Sequence, residues 1–435
     1  MKFPTTQRFF LALVMGTTAY GQGSLTPPGA PAPTMKSLAQ IEPRTVITAL
    51  PFTVTNAGAY YLAGNLTGIA GTNGITIAAN NVSLDLGGFE LVGVAGSSNG
   101  IAESGARTNL VIGNGTIRNW PLAGVGAGNL FRARFERLQV LDNNGGGLGA
   151  ADNSSVADCT VQRSPAPGGT SPAISLGAGS SARNCLVTGS GQIGIRIGPA
   201  GTVSECSVQA SSGNGIEAGS ASTLSRCTTL ANGGAGFNVL DDGSLQHCTA
   251  RLNSTNGFNL GNNATAANCV AISNTASGFV LGHGTTLSAC TARGNSRDGI
   301  VGGTGDALNQ CVVSLNRTNG INLDFGGRVN GCTVTSNSAD GIRVTGRCLV
   351  TQNNCDGNGT TAGHAGIHVT ISDNRIEDNN LTGNQVGLLV DGNFNLIIRN
   401  KASFNGSDFS IAGGNVSGPI SAVATTNAPW ANFSY

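Results

Sequence analysis

Charge is scarce in this chain. Asp, Glu, Lys and Arg make up only 10% of its 435 residues, and the net charge is +1. Globular proteins carry roughly a quarter charged residues. A balance this neutral excludes a general electrostatic hold on nucleic acid or on an anionic membrane surface. Aromatics reach only 5%, so platforms on which sugar rings could stack are few. Long apolar runs are missing too. The run Phe9–Met15 is too short to span a bilayer, and nothing longer follows it. Helix formers give way to Gly, at 67 residues, and to frequent Asn, Ser and Thr, which argues against a helical protein.

What is present is a repeat. Cys185, Cys206, Cys227, Cys248, Cys269, Cys290, Cys311 and Cys332 stand 21 residues apart. Nine residues after each comes Gly followed by Ile or Phe, from Gly194-Ile195 to Gly341-Ile342. Apolar residues alternate within each unit, as in Ile195-Arg196-Ile197 and Phe237-Asn238-Val239, and period two is the mark of a strand. A unit of this length, built of short strands and turns, matches one coil of a parallel β-helix. Stacked coils lie about 4.8 Å apart. Equivalent residues then form columns, among them Asn232, Asn253, Asn274, Asn295, Asn316 and Asn337. Asn tolerates the left-handed turn conformation, and stacked amides hydrogen-bond along the axis. Coils of 21–26 residues over 73–412 give about 15 turns. The fold class expected is all-β, a single-stranded right-handed parallel β-helix with Cys and Asn ladders.

Eleven cysteines would suggest disulfides in a secreted chain. In stacked coils, however, neighbouring Cβ atoms point in parallel and sit about 4.8 Å apart, beyond the usual disulfide range. A reduced, buried column is expected, with Cys acting as a small hydrophobe. A straight column does not supply the convergent ligands a metal needs, so neither metal nor cofactor is expected.

The N-terminus reads as a secretory signal peptide over 1–21: Lys2 and Arg8, the apolar run, then Ala19-Tyr20-Gly21. A Pro-rich linker over 22–44, an N-terminal cap over 45–72, the β-helix over 73–412 and a capping tail over 413–435 complete the expected organisation. The expected location is secreted, periplasmic or at the cell surface.

The repeat Asn-x-x-x-Gly-Ile, the segment Asn374-Arg375-Ile376-Glu377-Asp378-Asn379-Asn380-Leu381-Thr382-Gly383-Asn384 and the stretch Asn81-Val82-Ser83-Leu84-Asp85-Leu86-Gly87-Gly88-Phe89 resemble right-handed β-helix proteins of the pectate-lyase-like superfamily, including its NosD-like and carbohydrate-binding, sugar-hydrolase repeats. The resemblance covers roughly 50–412. It implies a bacterial secreted protein with polysaccharide as partner. It does not fix the activity, since that superfamily holds lyases, hydrolases, epimerases and adhesins.

Candidate catalytic residues are Asp241, Asp242 and His283. Asp241-Asp242 and Gly282-His283-Gly284 are similar to the paired acids and the Gly-His-Gly of polygalacturonases. Asp241 and His283 share a column two coils apart. The competing reading is ordinary turn chemistry, and the superfamily's Asn-Thr-Asp and Arg-x-Lys motifs are missing at matching positions. Candidate ligand-binding residues are Arg196, Glu217, Asn238 and Asn259, in the outward column of the Gly-Ile strand, with Arg196 and Glu217 expected to pair. His364 and His368, four apart on an extended strand, are expected about 13 Å from one another, with His368 exposed. The functional expectation is polysaccharide or envelope-glycan binding without a catalytic centre. Lyase, hydrolase or epimerase chemistry is the first alternative, and a structural or adhesive rod the second.

Overall fold

A computed structural model divides the chain into two units, Met1–Pro43 and Arg44–Tyr435. It describes residues 42–435 apart from 127, 166–170, 360 and 423–425. The segments read from sequence as a signal peptide and a linker, 1–21 and 22–44, lie outside the described residues apart from 42–44. The second unit is a right-handed parallel β-helix, and no helix interrupts it among the described residues.

One coil illustrates the rest. Strands Thr202–Ser204, Ser207–Gln209 and Ile216–Ala218 form its three sides. Each pairs in parallel with its equivalent 21 residues on: Val203 with Leu224, Val208 with Thr229, Ile216 with Phe237. Among the described residues, seventeen strands stack on the third side, from Phe52–Val54 to Ser407–Ile411. That is two more coils than the repeat suggests. Strands already stack from Thr45 onward, and Thr45–Ile47 pairs with Gly58–Leu62.

The interior is mainly apolar. Phe237, Phe258 and Phe279 stack with ring centroids 4.8 and 4.6 Å apart and nearly parallel planes. All eleven cysteines are free and buried. Burial pushes the Cys159 thiol up to about 12 and also raises that of Cys355, so these groups stay protonated and unreactive.

Each of the three corners turns by one left-handed residue: Glu205, Ala210 and Ala221, with φ of 57°, 51° and 58°. The residue that follows points inward and ties the corner to the neighbouring coil. At the second corner these inward residues are the Asn ladder. Asn253 Oδ1 accepts the backbone N–H of Asn232 at 3.1 Å and its side-chain amide at 3.0 Å. The pattern runs on through Asn358, Asn384 and Asn405. The ladder Asn is therefore not itself the left-handed residue. The strained position falls to its predecessor, Ala231 or Leu252, where an L-residue costs about 1–2 kcal/mol. The buried amide bonds offset that cost.

The ladder also explains the repeated glycine. A Cβ on Gly257 would sit 2.7 Å from the Gly278 carbonyl oxygen and 2.8 Å from Asn274 Nδ2. The reason is close approach, since these glycines do not need a positive φ.

Candidate functional site

The outward column on the third side carries the polar strip anticipated from sequence. Ser175, Arg196, Glu217, Asn238 and Asn259 lie in direct register on successive coils. Their side chains point outward because the alternating Ile, Phe, Leu and Val positions are taken by the core. Arg196 Nε donates to Glu217 Oε2 at 3.0 Å, the pairing expected. Glu217 Oε1 accepts from Asn214 Nδ2 at 2.8 Å, and Asn259 Oδ1 accepts from Asn256 Nδ2 at 2.8 Å. These contacts hold the row upright.

Two hollows flank Arg196. One, of about 400 Å³, is walled by Val125, Gly126, Gly146, Gly149, Ser175 and Arg196. The other, of about 280 Å³, lies against Arg196, Glu217, Asn238 and Leu240. Glycines floor the first, so the backbone itself is open to a ligand there. The two share Arg196.

Asp241, Asp242 and His283 belong to a different set of contacts. Asp241 Oδ1 accepts the N–H of Asn262 at 2.8 Å, and Asn262 Oδ1 accepts the N–H of His283 at 2.9 Å. His283 Nδ1 accepts the N–H of Thr304 at 3.0 Å. Each side chain ties its turn to the next coil. That bond leaves Nδ1 without a proton, so the ring proton sits on Nε2. Asp242, at φ 60°, accepts from Asn263 Nδ2 at 3.3 Å. These bonds tie successive turns together, and none of them joins His283 to Asp241 or Asp242.

His364 and His368 depart from the sequence reading. The strand is Ala365–Val369, so His364 precedes it and the extended-strand spacing does not apply. Both imidazoles turn to the same carboxylate. His368 Nδ1 lies 2.9 Å from Asp340 Oδ2, and His364 Nδ1 lies 3.5 Å from Asp340 Oδ1. His368 Nε2 lies 2.8 Å from Asp391 Oδ2. The His368 side chain is only 13% exposed, not open to solvent as expected. Burial lowers its pKa, but hydrogen bonds and charge from Asp340 and Asp391 outweigh that and raise it above the ordinary value. Both ring nitrogens face carboxylates.

Sequence reasoning missed this cluster because its coil is long. Gly341 and Gly366 are 25 residues apart rather than 21. A signal did exist: His368 falls in the outward column between Arg343 and Leu389, and an Asp closes the turn on either side. Among the described residues, no group of three or more His, Cys, Asp or Glu side chains is arranged to hold a metal ion.

Residues 172–317 match the family described as right handed beta helix region, in accord with the coil geometry. No curated protein matches the sequence. Among solved structures, the A-module of the Azotobacter vinelandii mannuronan C-5 epimerase AlgE4 is similar over 83% of this chain and 91% of its own, at 15% identity and TM-score 0.41. Pectate lyase Pel9A is similar over 56% and 69%, at 13% identity and TM-score 0.31. Bacteriophage CBA120 tailspike protein 3 is similar over 86% and 59%, at 11% identity and TM-score 0.34. Identities this low assign no residue roles.

Proposed function

We propose that this protein is a secreted β-helix that binds a polysaccharide along the outward row Ser175, Arg196, Glu217, Asn238 and Asn259. The observation that carries the reading is the pair of hollows on either side of Arg196, the second lined by Arg196, Glu217 and Asn238 on three successive coils. A repeating ligand suits a repeating row. Arg196 is neutralised by Glu217, so the row offers donors and acceptors with little net charge, which suits a hydroxyl-rich chain. The test is a glycan array followed by titration calorimetry on the best ligand. Asn238→Ala and Glu217→Ala should each weaken binding by about tenfold, as expected for a lost direct hydrogen bond to a charged or polar partner. Undiminished binding by both variants would move the site elsewhere.

Catalysis is the second reading, favoured by the half-buried His368 between two carboxylates. A reducing-sugar and unsaturated-product screen separates the two. We expect no turnover of polygalacturonate, with or without calcium. Turnover abolished by His368→Ala, with binding intact, would establish an enzyme.

A further inference from the structure

His368 joins three successive coils. Asp340 lies just before the strand Ile342–Val344, His368 sits on Ala365–Val369, and Asp391 follows Val386–Val390. Asp340 is almost wholly enclosed and already accepts the N–H of Ala365 through Oδ1 at 2.7 Å. Its second oxygen faces His368, so its charge is balanced there by the ring. Asp391, on the far side, is 58% exposed. The other groups facing the ring are Arg343, its outward neighbour one coil back, Leu389 one coil on, and His364 beside Asp340.

We propose that Asp340, His368 and Asp391 form an acid-strengthened clasp that fastens the coils around 340–391, and that this part of the helix loosens as pH rises. With both ring nitrogens protonated, each N–H donates to a carboxylate and one cation lies between two anions. When the ring loses a proton, one nitrogen becomes a lone-pair acceptor facing a carboxylate oxygen. That contact then repels, and buried Asp340 loses the charge that compensates it. Arg343 is the one cation in the outward column next to the ring. It bonds to Asn322 Oδ1 at 3.4 Å, so it does not replace the imidazolium at Asp340.

The sign follows from linkage. A histidine whose pKa is raised on folding adds stability that is full below its unfolded value of 6.5. The contribution is lost as pH rises through the higher folded value. The change is local, since coils contact only their neighbours.

Hydrogen exchange at pH 5.5 and pH 8.5, corrected for intrinsic rates, tests the clasp on the full chain. Protection at the amides of 365–369 and 386–390 should fall by at least about threefold more in wild type than in His368→Gln, while coils near 216–260 show no such difference. Asp391→Asn leaves the core untouched and covers the case in which His368→Gln does not fold. It should lower the titration midpoint of the His368 ring, read by NMR. An equal pH response in wild type and variant, or a His368 midpoint at or below 6.5, would overturn the clasp.

Discussion

Asn353 accepts the backbone N–H of Cys332 through Oδ1 at 2.9 Å. One coil on, it fills the corner that Cys332 fills in its own. The column then continues as Asn379, Asn400 and Asn432. Cysteine and asparagine thus solve the same problem. Cys332 Sγ accepts the N–H of Cys311 at 3.4 Å, a weak version of the amide's bond. The first corner is held by thiol packing in most coils and by amide ladders in the last ones.

Cys332→Asn should therefore be tolerated. The new Oδ1 meets the N–H of Cys311, and the new amide meets Asn353 Oδ1 and the Leu308 carbonyl, which Sγ now approaches at 3.9 Å. The denaturation midpoint should stay level or rise. A clear fall would mean the corner lacks room for an amide. Thiol titration of denatured, unreduced wild type should count eleven free thiols, since all are free here.

Asn274→Ala should be costly. Asn253 loses the acceptor of both its N–H, at 3.1 Å, and its side-chain amide, at 3.0 Å. Both donors are buried, and each buried group left unpaired costs about 1–3 kcal/mol. Thermal melting followed by circular dichroism should show the loss. A change within the scatter of exposed surface substitutions would remove the ladder from the energetics.

Asp306 is the only carboxylate in the third corner column of the described residues, where other coils use Ser222, Thr285 and Asn374. It accepts the N–H of Thr285 and of Gly303, both at 2.7 Å. Burial raises its pKa above the carboxylate norm more than these bonds lower it. Its contribution is then most favourable below the unfolded value, about 3.9, and is lost as pH rises through the folded one. Relative to Asp306→Asn, wild type should gain stability between pH 7 and pH 4. Denaturation midpoints at the two pH values check this, and a gap that does not move with pH would contradict it.

Removing 413–435 should promote association. Asn432–Ser434 pairs with Lys401–Ser403 at the last coil, and Asn432 Oδ1 accepts from both the N–H and the amide of Asn400, at 3.0 and 3.1 Å. Without the tail a strand edge and buried donors are bared. Light scattering of the truncated protein should rise at concentrations where the full chain stays clear.

The coil was legible because its signals are periodic. Gly-Ile, Cys and Asn recur at fixed spacing, and Arg196 with Glu217 could be paired by counting. The left-handed corners were not legible. Ala231 and Leu252 carry no turn propensity, and only the ladder behind them makes their conformation affordable. The kinship of Cys332 and Asn353 was hidden because the two residues share no hydropathy. The burial of His368 was missed because a four-residue lengthening of its coil moved Asp340 out of step with the count.

The amide ladders all point one way. From Asn232 to Asn384, each side-chain amide donates to the Asn Oδ1 of the coil that follows, and most also donate to a backbone carbonyl of the coil before, as Asn232 does to Val208 and Asn274 to Ala250. In these Asn-to-Asn bonds the molecule has a sense of direction like that of a polar filament, with every Oδ1 acceptor facing its start. At Asn405 the donor meets Asp408 Oδ1 at 2.9 Å, a carboxylate that can only accept. That residue is a terminator written in hydrogen-bond chemistry. Lengthening the protein by grafting further coils at this end would require replacing it first.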